Sequence, residues 1–69
     1  MKDRRTDSFL RQEEVIARTT LSESTIRRRE RAGTFPRRVM LGANSVAWYA
    51  SDIDDWIADP MGYRVSGAA

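Results

Sequence analysis

The chain has 69 residues, enough for one domain, with 12 basic and 10 acidic residues and a net charge of +2. Neither cysteine nor histidine occurs, which excludes a disulfide framework and thiolate metal sites and removes the commonest metal ligand and general base. No apolar run approaches the ~20 residues of a membrane span, and no signal-peptide core follows the charged Met1–Arg5 start, so the expectation is a cytoplasmic protein with no membrane partner.

In chain order, residues 1–8 are polar and read as a flexible tail. Phe9-Leu10 opens the ordered domain, and Gln12 to about Thr19 forms a first helix. Its apolar face is Val15 and Ile16, and Glu13 and Glu14 lie in the first turn, where the helix dipole favours negative charge. Thr19-Thr20-Leu21 breaks the pattern. A second helix follows over about residues 22–32, with Ser22 as N-cap, Glu23 in the first turn and Gly33 as the stop. Leu21 and Ile26 flank the cap at hydrophobic-staple spacing. Two helices joined by so short a turn match the helix-turn-helix plan.

On a helical wheel with Ile26 inward, Ser24, Arg27, Arg28 and Arg31 point outward, and Glu23, Arg29, Glu30 and Gly33 lie nearer the inner side. Phe35-Pro36 ends the helical region. Two short strands follow, Arg38–Leu41 and Val46–Tyr49, around a Gly42–Ser45 turn. Alternation predicts that Val39, Leu41, Val46 and Trp48 share one face. This hairpin is the wing, about residues 38–49, of a winged helix. A last helix starts at Ser51, where Ser51-Asp52-Ile53-Asp54 resembles a capping box. Ile53, Trp56 and Ile57 form its stripe, and it stops near Asp59-Pro60. Residues 60–69 read as a second flexible tail around a 9–59 domain.

Charge is unevenly distributed. Residues 24–38 hold six arginines and one acid, Glu30. Residues 1–42 hold eleven basic and six acidic residues, whereas residues 43–69 hold Arg64 against Asp52, Asp54, Asp55 and Asp59. A basic block on a capped helix that runs into a basic hairpin seeks a polyanion, and double-stranded DNA is the expected partner. On this reading Ser24, Thr25 and Arg28 reach base edges and adjacent phosphates, Arg27 and Arg31 flank them on the backbone, and Arg37, Arg38, Asn44 and Ser45 serve the wing.

The competing chemistry is weak. The four aspartates cluster at and after a helix start, which capping and the dipole explain. With no histidine, serine or threonine lacks the partner of a conventional triad. Trp48 and Trp56 fall on inward faces and are assigned to the core. No catalytic residue, cofactor or metal is expected; the chain is not read as an enzyme.

At these residues the chain resembles the AlpA family of small phage and prophage regulators, related to excisionases and to the MerR-type winged helix. The resemblance spans Phe9 to Ile57 and rests on Phe9-Leu10-Arg11, Glu14-Val15, Leu21-Ser22-x-Ser24-Thr25-Ile26, Gly33-x-Phe35-Pro36, Leu41-Gly42, Ser45-Val46-Ala47-Trp48 and Ser51-Asp52-Ile53-Asp54-x-Trp56-Ile57. It implies a mainly α winged helix-turn-helix fold with a small β-hairpin, acting on duplex DNA as a nucleoid-associated transcriptional regulator of phage or mobile-element genes. The recognition helix would enter the major groove and the wing would meet the adjacent groove or backbone. Two positions depart from the family pattern: Arg29-Glu30 stand where relatives carry apolar residues, and Asn44 where they often carry arginine.

Two alternatives share the chain. One is an excisionase-type recombination directionality factor that bends attachment-site DNA beside an integrase. The other is a protein-interaction module, an antirepressor that binds another regulator, supported by the acidic C-terminal part with Tyr49 and Tyr63 expected at the surface. One small unit presents a small interface, so a homodimer or cooperative assembly on DNA is expected.

Overall fold

The helix-turn-helix forms where local chemistry places it. The computed structural model describes residues 4–65. Helix α1 spans Gln12–Thr19 and helix α2 spans Glu23–Ala32, with three residues between them. At the start of α1 the Glu14 carboxylate reaches back to the Arg11 N–H at 3.2 Å. Ser22 caps α2, its hydroxyl oxygen accepting from the Thr25 N–H at 3.3 Å. The end of α2 is a Schellman closure. Gly33 takes φ +78°, its N–H donates to the Glu30 carbonyl at 3.1 Å, and Thr34 N–H donates to the Arg29 carbonyl at 3.0 Å.

Within the connecting turn, Thr20 adopts φ +61° and donates its N–H to the Ile16 carbonyl at 2.8 Å. A β-branched residue is unfavourable in this left-handed region. Thr19 supports the turn from inside: it is buried, its hydroxyl donates to the Val15 carbonyl at 2.7 Å, and its Oγ1 accepts from Leu21 N–H at 3.3 Å.

Three strands make one antiparallel sheet in the order β1-β3-β2: β1 Phe9–Leu10, β2 Val39–Gly42 and β3 Ser45–Tyr49. The first strand was not anticipated, because two residues carry no periodic signal. It pairs Phe9 with Tyr49 and Leu10 with Trp48. Strand β2 pairs Val39 with Ala47, Met40 with Val46 and Gly42 with Ser45. The step from Met40 to Gly42 against a single step on β3 leaves Leu41 as the extra residue of a bulge. The expected shared face of Val39, Leu41, Val46 and Trp48 is therefore corrected. Paired residues project to the same side, so Val39 goes with Ala47, while Met40 and Leu10 go with Val46 and Trp48. Among the described residues only Thr20 and Gly33 have left-handed φ. The Ala43-Asn44 turn is thus not of the primed kind that matches strand twist, and the bulge next to it absorbs the mismatch.

Helix α3 spans Ala50–Ala58, one residue earlier than expected, directly after β3. The expected Ser51 capping box is not formed. Ser51 lies inside the first turn, and its N–H and hydroxyl both donate to Asp7, at 3.2 and 2.5 Å. Ala50 N–H donates to the Ser8 carbonyl at 2.8 Å. The segment before Phe9, read from the sequence as tail, is therefore tied to α3 from Arg4 onward: Arg4 pairs with Asp7 at 2.9 Å and Asp52 at 3.3 Å and lies over the Tyr49 ring at 3.8 Å. After α3, Tyr63 packs on the core and Val65 N–H donates to the Gly33 carbonyl at 3.0 Å, so this stretch is also held. Residues 1–3 and 66–69 of the two expected tails lie outside the described residues.

Leu10, Val15, Ile26, Phe35, Trp48, Ile53 and Trp56 form the core, one or two side chains from almost every element. Both tryptophans are internal, as the sequence reading placed them. Of the α3 stripe, Ile53 and Trp56 are buried while Ile57 stays exposed.

Candidate nucleic-acid interface

Helix α2 buries a single side chain, Ile26. Its wheel then follows from geometry: Ser24, Arg27, Arg28 and Arg31 are exposed, while Arg29 and Glu30 are half-buried. Glu23, expected nearer the inside, is exposed and accepts from Gln12 Nε2 at 2.7 Å. Near the start of the helix the hydroxyls are linked. Ser22 Oγ donates to Thr25 Oγ1 at 2.9 Å and shares a 3.3 Å hydrogen bond with Ser24 Oγ. Arg28 Nη2 makes a long 3.5 Å contact to Thr25 Oγ1, which lays the guanidinium back toward the helix N-terminus.

Among the described residues, Arg27, Arg31 and Arg37 form no ion pair. Arg27 and Arg31 line one side of a hollow whose other side is the approach to β2, with Arg37 and Arg38; Glu30 is its single acid. A second, wider depression on the far side of Arg37 and Arg38 mixes signs, with Arg4 and Arg64 against Asp52 and Asp55. The tip of the wing carries exposed Asn44, and Ser45 beside it is half-buried. Met40 and Leu41, on the outer strand of the sheet, are exposed.

Arg38 differs from the other arginines. Its Nε and Nη2 donate to Glu30 Oε1 at 3.0 and 2.8 Å, its backbone N–H donates to Glu30 Oε2 at 3.1 Å, and its guanidinium lies 5.1 Å from the Trp48 ring centroid. Trp48 Nε1 also donates to Glu30 Oε2 at 3.1 Å and to the Pro36 carbonyl at 3.1 Å. One carboxylate thus joins α2 to β2 and β3. In the sequence Glu30 is legible as a polar residue on the inner side of the helix, open to snorkelling or to pairing with Arg29 or a neighbour. Its position on the inner side of the wheel, four residues after Ile26, was the signal; its partners are 8 and 18 residues away and carried none.

Tyr49 and Tyr63, expected at the surface, are half-buried. Tyr49 is covered by Arg4 and packs against Phe9, ring centroids 5.0 Å apart, and Tyr63 rests on the core. Both rings are thus only partly available to a protein partner. Among the described residues no group of three or more acidic side chains is placed to hold a metal ion, and no helix is long and apolar enough to cross a membrane.

A family profile described as the prophage CP4-57 regulatory protein (AlpA) matches residues 8–61. The uncharacterized protein ORF88 of Enterobacteria phage P4 is 41% identical over 61 residues, covering 88% of this chain and 69% of its own. The DNA-binding transcriptional activator AlpA of Escherichia coli (strain K12) is 33% identical over 64 residues, covering 84% of this chain and 91% of its own. The match runs from the start of β1 past the end of α3, through every element that positions the arginine face. The chain belongs to the AlpA family of prophage regulatory proteins.

Proposed function

We propose that this protein is a sequence-specific duplex-DNA-binding transcriptional regulator of phage or mobile-element genes. Helix α2 enters the major groove, and the β2–β3 wing lies on the adjacent groove or backbone. The observation that carries this reading is the outward face of α2. Arg27, Arg28 and Arg31 are exposed on a capped helix, and Arg37 faces two of them across a hollow. Exposed ionised groups that form no ion pair among the described residues are available to displace counterions from phosphates, which is the sequence-independent part of DNA affinity. Ser24 and Thr25 sit at the N-terminal end of the helix, the end that approaches base edges in helix-turn-helix proteins, and the Arg28 guanidinium is laid back toward it against Thr25. Asn44 and Ser45 present hydrogen-bonding groups at the wing tip, and Arg38 lies on the wing side of the hollow. The name of the Escherichia coli relative, a DNA-binding transcriptional activator, supports the same partner.

No catalytic or cofactor role is assigned, and the working location is the cytoplasm, on the nucleoid. A single small module covers a short site, so useful discrimination calls for two copies or a neighbouring protein on the same DNA. An integrase is such a neighbour. A reconstituted excision reaction that depends on this chain would move the reading from regulator to directionality factor, with the DNA face unchanged.

The test is a salt titration on duplex DNA. With Z phosphates neutralised, the log–log slope is about −0.9Z, and a Z of only a few suits one small domain. Affinity independent of salt, or a folded protein that binds no duplex at low salt, overturns the proposal.

A further inference from the structure

Helix α2 is attached to the rest of the molecule at few points. Ile26 is its only buried side chain. One turn later Glu30 accepts four hydrogen bonds from the wing side: Arg38 N–H, Nε and Nη2, and Trp48 Nε1, all between 2.8 and 3.1 Å. The side chains of Glu30 and Arg38 retain 13% and 22% of their exposure, and Trp48 is fully buried. The start of the helix is tied to α1, where Gln12 Nε2 donates to Glu23 at 2.7 Å, and its end to the C-terminal stretch, where Val65 N–H donates to the Gly33 carbonyl at 3.0 Å. Of these ties only the Glu30 carboxylate joins α2 to the wing, holding Arg38 just before β2 and the Trp48 indole at the centre of the sheet, so it opposes rotation of the helix relative to the wing.

We infer that Glu30, acting through Arg38 and Trp48, is a positioning residue that sets the angle between the DNA-facing helix and the wing. It thereby determines sequence specificity without touching DNA. The inference rests on the DNA-binding reading above and assigns Arg38 to this latch instead of to a phosphate. Two physical accounts of Glu30 give opposite signs. As an isolated negative charge in a hollow lined by Arg27, Arg31, Arg37 and Arg38, it repels every duplex, and its neutralisation strengthens binding to all sequences alike. As a latch, its loss lets the helix and the wing adopt many relative angles. Base contacts and backbone contacts then no longer fit one register, so the selected sequence loses its advantage while the non-specific term survives.

The experiment compares two duplexes of equal length and composition, one enriched from a random pool by the parent protein and one scrambled. Affinities are measured for the parent, Glu30→Gln and Arg38→Gln, with thermal melts showing that each variant is folded at the temperature used. The expected result is a fall of about tenfold in the selected-to-scrambled ratio for both variants, the size of one good base contact. Scrambled-duplex affinity should rise slightly for Glu30→Gln and fall slightly for Arg38→Gln. Opposite charge changes with the same loss of discrimination are the signature of a latch. A ratio within twofold of the parent in both variants, with affinities moving only in the direction of the charge change, overturns the inference and leaves DNA binding intact. Trp48→Phe keeps both charges and removes the indole donor together with part of the buried ring, so if either charge variant fails to fold, the ratio for a Trp48→Phe variant shown by its melt to be folded decides on the same criterion. A parent protein that binds neither duplex overturns the DNA reading itself, and this inference with it.

Discussion

Asp7 caps helix α3 from 44 residues away, accepting the Ser51 N–H through Oδ1 at 3.2 Å and the Ser51 hydroxyl through Oδ2 at 2.5 Å. The helix has no side-chain cap of its own, since Tyr49 stands at the N-cap position. A residue before the first strand therefore does what an N-cap serine or aspartate does within the chain elsewhere. The same carboxylate takes the Ser8 N–H and the Arg4 guanidinium, so the start of the domain, the sheet edge and the last helix meet at one group.

That arrangement has a pH signature. The Ser51 hydroxyl first of all, opposed by burial and aided by the backbone N–H groups of Ser51 and Ser8 and by Arg4, lowers the Asp7 carboxyl from its ordinary 3.8 to about 2. Because the folded-state value lies below the unfolded one, the stabilisation is complete above the ordinary pKa and is lost as pH falls from about 4 toward about 2. In Asp7→Asn the acceptor remains but the charge does not, so the difference in Tm between parent and variant should shrink over that interval. Asp7→Ala should lower Tm by on the order of 5 °C at pH 7. Melts at stepped pH check both, and a parent–Asn difference that is flat from pH 6 to pH 2 contradicts the assignment.

Thr20→Gly should stabilise the protein by about 1 kcal/mol, because the left-handed conformation at φ +61° is unfavourable for a β-branched residue and free for glycine. The backbone bond from residue 20 to the Ile16 carbonyl survives the substitution. Urea unfolding should show a higher midpoint at unchanged slope. A lower midpoint means that the Thr20 hydroxyl, which donates to the Thr19 carbonyl, outweighs the strain.

The two tryptophans should respond unequally to phenylalanine. Trp48 Nε1 donates to Glu30 and Pro36, whereas Trp56 Nε1 is buried with no partner among the described residues. Trp48→Phe leaves two acceptors short of a donor, while Trp56→Phe removes a donor that was already unsatisfied. Trp48→Phe should therefore cost about 1–3 kcal/mol more than Trp56→Phe. Equal losses in chemical denaturation would show that packing volume alone sets both.

Among the arginines the expected effects divide by surroundings. Arg27→Ala, Arg31→Ala and Arg37→Ala should each weaken binding to all sequences and reduce the salt slope by about 1, since these groups form no ion pair among the described residues. Arg28→Ala should relax sequence preference, at about 1–3 kcal/mol on the selected duplex. Titration of selected and random duplexes over a range of salt separates the two outcomes, and uniform behaviour of all four variants would remove Arg28 from base readout.

What the sequence alone determined is what neighbours along the chain decide. The Ser22 cap acts on Thr25, three residues on. Gly33 ends its helix because the left-handed residue must stand there, and Ile26 turns inward because helical periodicity leaves it no other face. The outward set of Ser24, Arg27, Arg28 and Arg31 follows from the same 100° step. The tertiary structure decided the rest. It paired Leu10 with Trp48, slipped the wing register by a bulge at Leu41, brought Asp7 to Ser51, and gave Glu30 its partners in Arg38 and Trp48. Apart from the local wing pairing, these contacts join residues 8 to 44 positions apart, and they leave no periodic trace because a single side chain satisfies a distant group only once the core has set the elements at a fixed distance.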